Sequence, residues 1–123
     1  MRTLPFTLDS GLSQISGVLR EGPNELIIEY QSKLLGLIRS EIKVVRIPYQ
    51  DIEDVSSSSN LFQTQIRILL KTLRNIGDFP APKQGELVLA VDRKNRQQAR
   101  SFALGVNLSA SRFELEDDTD EWV

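Results

Sequence analysis

The chain has no cysteine and no histidine, and one methionine and one tryptophan among its 123 residues. Without cysteine there is no disulfide frame, no thiolate nucleophile and no sulfur-ligated zinc. Without histidine the commonest general base and the commonest metal ligand are missing. Apolar runs are short everywhere, well below the roughly 20 residues that cross a bilayer as a helix. Residues Met1–Asp9 lack the uninterrupted apolar segment of a signal peptide. No G-x-S-x-G, P-loop or dinucleotide-binding glycine motif occurs. Asp51, Glu53 and Asp54 could pair carboxylates, but no histidine stands by to activate a serine. These gaps predict a cytoplasmic binding module with no catalytic residues, no metal and no cofactor.

A chain of this length makes one domain, and it can bury roughly two-thirds of the surface its unfolded form exposes. It therefore needs no metal or disulfide to hold a core. The net charge of −2 conceals an asymmetry. Six acids (Glu114, Glu116, Asp117, Asp118, Asp120 and Glu121) fall in the last ten residues, with no base among them. Without that segment 15 basic residues face 11 acidic ones, a body charge of +4. Such a charge is too weak to indicate nucleic acid. The aromatics (five Phe, two Tyr, one Trp) form no strand pair with interleaved bases, which also speaks against a nucleic-acid barrel.

Short apolar segments alternate with turn signals. Gln14–Arg20 and Glu25–Gln31 flank Glu21-Gly22-Pro23-Asn24 and predict a hairpin. Leu34–Arg39 is a short apolar piece broken by Gly36. Glu41–Ile47 is β-branched and is limited by Pro48. Asp51–Asp54 reads as a turn or a single helical turn. Val55–Leu61 contains four serines, Ser56–Ser59, and reads as an edge or bulged strand. Thr64–Leu73 and Glu86–Asp92 are the clearest strands, with Ile66, Ile68 and Leu70 on one face of the first. A loop with two prolines separates them. From Asn95 the period changes, and Ala99, Phe102, Ala103, Val106 and Ala110 mark one face of a helix. Asn95 and Gln98 resemble a capping box. Gly105 weakens this helix by about 1 kcal/mol relative to alanine, and the pattern places its end near Leu108. About seven strands followed by one amphipathic helix suggest a barrel plugged at one end, with Phe102 as the largest plug residue.

The element order, the phrase Arg46-Ile47-Pro48-Tyr49-Gln50-Asp51-Ile52-Glu53-Asp54-Val55 and the strand Leu87–Asp92 running into a helix resemble bacterial pleckstrin-homology-like domains and their GRAM branch. The resemblance covers residues 13–109. It implies a mainly β fold of about seven antiparallel strands in two near-orthogonal sheets, capped by one C-terminal helix. Residues 1–12 would be an extension and 110–123 an acidic, flexible tail. It further implies a binding or scaffolding module, in a family whose bacterial members form homo-oligomers, rings included. The basic first-hairpin loop of phosphoinositide binders is missing, because Arg20–Glu25 holds one base and two acids.

Three segments are candidate sites. Leu34, Leu35, Leu37 and Ile38 are four aliphatics in five residues, flanked by Lys33 and Arg39. If exposed they would form an apolar contact for a second copy or a protein partner, with a basic rim suited to an anionic membrane; otherwise they form a strand buried on both faces. Arg93, Lys94, Arg96 and Arg100 crowd the helix start and could hold a phosphate or lipid headgroup, or be a solvated face. The acidic tail with Trp122 could bind a basic partner, fold back to mask the basic body, or remain a solubilising tail.

Overall fold

Period-two alternation of apolar and polar residues yields eight strands in this computed structural model, which describes residues 2–34, 37–38, 41–80 and 85–121. They are β1 (Thr3–Ser10), β2 (Ser13–Glu21), β3 (Glu25–Leu34), β4 (Leu37–Ile38), β5 (Lys43–Pro48), β6 (Ile52–Ser59), β7 (Thr64–Leu70) and β8 (Glu86–Val91). A 3-10 turn, Tyr49–Asp51, joins β5 to β6. A second, Arg93–Asn95, leads into helix α1 (Arg96–Glu121). All strand pairs are antiparallel.

The strands form one sheet, not the expected two near-orthogonal ones. Its order is β4-β3-β2-β1-β8-β7-β6, with β5 also on β3. β4 lies on Lys33–Leu34 and β5 on Glu25–Tyr30, so the two share the outer side of β3. The sheet is continuous because the last strand returns to the first, where Thr7 pairs with Ala90. That seam is a single register pair. Pro5, two residues earlier, has no N–H to extend it.

The sheet has to curl. β5 and β6 lie on its opposite outer sides, yet Pro48 and Ile52 are only four residue steps apart. Such a span reaches at most about 14 Å. The corner is pinned from several directions. The Asp51 carbonyl accepts the Lys71 N–H at 2.7 Å, and the Asp51 carboxylate accepts the Asn75 amide at 2.7 Å.

The core fills the curl. Leu19, Leu26, Ile28, Ile66, Ile68 and Leu87 are fully buried. The long loop after β7 contributes Ile76 and Phe79. Phe79 packs edge-on against Phe6 and Tyr30, with ring centroids 6.2 and 4.9 Å away. Those two residues are registered on either side of Gly17. Helix α1 buries Ala99, Phe102, Ala103 and Val106 on the face that the spacing indicates.

Three expectations need correction. Residues 3–10 are an inner strand carrying the buried Leu4 and Phe6, not part of an extension. The helix continues past Leu108 to Glu121, because Ala110 and Phe113 extend its apolar face onto the core. The helix start is organised by Asp92, whose carboxylate accepts the Lys94 N–H at 3.0 Å, while Asn95 lies inside the 3-10 turn. The serine run is an outer strand, as expected, with a register shift between Ile52 and Asp54. At Val55 its outer side is capped by Asn107 of α1. The Val55 N–H donates to the Asn107 side-chain oxygen at 2.9 Å, and the Asn107 amide donates to the Val55 carbonyl at 2.7 Å. A side chain thus supplies the pairing that a neighbouring strand would have made.

Candidate interaction surfaces

The first surface lies where β4 and β5 end the sheet. The register runs Ser13, Leu34, Leu37 across three strands. Leu12 precedes Ser13 in the β1–β2 turn and is 77% exposed; Leu37 is 67% exposed and Ile42 65%. Val44 of β5 is half-exposed. Leu34 and Lys33 are partly buried at the end of β3. Ile38 completes β4. Leu35, Gly36 and Arg39 lie outside the described residues. The outer side of β3 thus carries more exposed apolar residues than the sequence segment suggested: Leu37, opposite Leu34, has the parity of Tyr30, and Val44, opposite Glu29, lies on the other face. No further strand pairs with β4 or β5 among the described residues.

The second surface is basic. Arg93, Lys94, Arg96 and Arg100 are all exposed. They follow the C-terminal end of β8, whereas Lys33 sits by the β1–β2 turn at the other end of the β1–β2–β3 ladder. The sequence offered Lys33 and these bases as two anion-binding candidates, and the structure sets them at opposite ends of the ladder. The acids are also held apart from the bases. Glu114 and the acids after it continue α1, and Glu114 stands about 27 Å along the helix axis from Arg96. That exceeds the screening length of about 8 Å at physiological salt, so residues 114–121 do not fold back to mask the bases. Trp122 lies outside the described residues.

The phrase Ile47-Pro48-Tyr49-Gln50-Asp51-Ile52 forms the corner. Tyr49 is fully buried; its hydroxyl donates to the Gly22 carbonyl at 2.6 Å, and its ring lies 5.9 Å from that of Phe113. Burial, and behind it the charge of Glu21, pushes the hydroxyl pKa up to about 12. In an unfolded chain it titrates near 10. The folded protein thus keeps this proton to higher pH. The associated stability is complete below pH 10 and is lost as pH rises toward 12. Urea unfolding of wild type should therefore lose about 1.4 kcal/mol more than Tyr49→Phe between about pH 9 and 11. Parallel losses in both would show that Tyr49 does not carry the effect.

Two other features escaped the sequence reading. Asn107 looks like any polar helix residue, although it borders the stripe formed by Ala103, Val106 and Ala110. Leu61 and Phe62 end up exposed at the tip of the β6–β7 hairpin, 78% and 88% respectively. Their only sequence signal is a pair of large apolar residues between Asn60 and Gln63. Arg2, Thr3, Gln97, Gln98, Ser101 and Phe102 line an open cleft of about 380 Å³. Among the described residues no helix is long and apolar enough to cross a membrane. No protein-family model, curated protein or solved structure matches the chain.

Proposed function

We propose that the chain is a non-catalytic interaction module of the pleckstrin-homology-like type, and that it pairs with a second copy of itself through the β4–β5 side of its sheet. The fold assignment is supported by the antiparallel order that closes β8 onto β1 and by the helix packed over the curl. The observation behind self-association is an outer side on which Leu37, Ile42 and Val44 are exposed and no further strand pairs among the described residues. Unpaired backbone there is a template for another strand. Two identical outer strands pair antiparallel about a twofold axis. An axis through Ile42 brings the two Ile42 side chains together and sets Glu41 of each copy against Lys43 of the other.

Light scattering over a range of concentrations tests the proposal. Wild type should show twice the chain mass, and Leu37→Ser with Ile42→Ser should show the single-chain mass. Because both residues are exposed, stability should change by less than about 1 kcal/mol. A wild type that stays at the single-chain mass at high concentration would overturn the reading.

A further inference from the structure

We infer that the β6–β7 hairpin tip, Leu61–Phe62, is an anchor for an anionic lipid surface, with Arg93, Lys94 and Arg96 supplying the electrostatic attraction. This is independent of self-association, which uses the other side of the sheet.

The tip is rigid. The Asn60 side-chain oxygen accepts the Phe62 and Gln63 N–H groups, both at 2.8 Å, and the Asn60 N–H donates to the Gln63 carbonyl at 2.9 Å. One rung below, the hydroxyls of Ser59 and Thr64 meet at 2.7 Å. The two most exposed large apolar side chains of the described chain are thus held out by a preformed turn. A preformed turn loses little conformational freedom on docking. A folded chain has no internal use for a Phe in that position.

The surroundings favour a lipid headgroup region over a protein groove. From Val55 through Leu70 there is no acidic residue, and the one base of the hairpin, Arg67, is ion-paired with Glu86 at 2.8 Å. Ser58, Ser59, Asn60 and Gln63 give the tip an uncharged polar collar. Thr64 pairs with Val91 at the last rung of the β7–β8 ladder. The tip and the Arg93–Asn95 turn therefore leave the same end of that ladder, which sets three exposed bases beside two exposed apolar side chains. Apolar insertion together with nearby bases is the combination that holds a peripheral protein on anionic lipid. The acids of α1 lie at its far end, so they do not neutralise it.

Sedimentation with vesicles of phosphatidylcholine, with and without phosphatidylserine, tests the inference. Wild type should bind the phosphatidylserine vesicles, bind neutral ones at least tenfold more weakly, and lose binding between about 0.05 and about 0.5 M salt. Leu61→Ser with Phe62→Ser should weaken binding at least tenfold, since burying one large apolar side chain already contributes about that factor. Arg93→Glu with Lys94→Glu should do likewise. Melting temperature and solution mass should stay unchanged in both variants. Absence of wild-type binding, equal binding to neutral vesicles, or full binding by the tip variant would each overturn the inference. A change of solution mass in the tip variant would overturn it too, by making the tip a protein contact. Solution mass reads self-association separately, so either proposal can fail alone.

Discussion

Phe102→Ala should lower the unfolding free energy by about 4 kcal/mol, measured by urea denaturation. Phe102 is 1% exposed and is the largest buried side chain of α1. Removing a buried aromatic loses its transfer free energy and leaves a cavity, together about 3–5 kcal/mol. Relaxation offers little relief here, because the helix is held to β6 through Asn107 and to the Tyr49 corner through Phe113. Moving inward to fill the space would strain the pair between Asn107 and Val55. A loss below about 1 kcal/mol would mean that the helix is not packed on the core at Phe102.

Gly17→Ala is the second large effect, expected at about 3 kcal/mol, the upper end for overpacking. A Cβ on Gly17 would run into the Glu29 carbonyl oxygen and come within 2.9 Å of the Tyr30 Cα. Both are backbone atoms of β3, so no side chain can swing aside. The strands would have to part in the row where Phe6, Gly17 and Tyr30 lie side by side under Phe79. Alanine normally costs less than glycine in a strand. A neutral or stabilising result in urea denaturation would therefore show that β2 and β3 are less closely apposed at this point.

Strands with clean alternation were legible in the sequence. Ile66, Ile68 and Leu70, then Leu87, Leu89 and Val91, show period two, and every one of them is buried. β1 was hidden by Pro5, which argues against an inner strand until its partner β8 is seen to use only Thr7. The helix end was hidden by its acids. The burial of Phe113 depends on Tyr49, a residue distant in the chain, and local periodicity carries no information about that contact. The apolar surface was half legible. Leu37 stands out in its own segment, but only the pairing of β4 and β5 with β3 brings Ile42 and Val44 to the same outer side of the sheet. The basic residues Lys33 and Arg93 were each legible as candidates, but that they lie at opposite ends of the sheet is set by topology alone.

Asn107 has a further consequence. A curled sheet that does not close has two sides able to recruit strands, and a molecule with two such sides can add copies without end. Here the Asn107 amide takes up the outward backbone groups of Val55 on one of those sides. If the chain pairs through β4 and β5 as proposed, that contact would hinder a second pairing at β6, and releasing the helix would leave both sides free to pair.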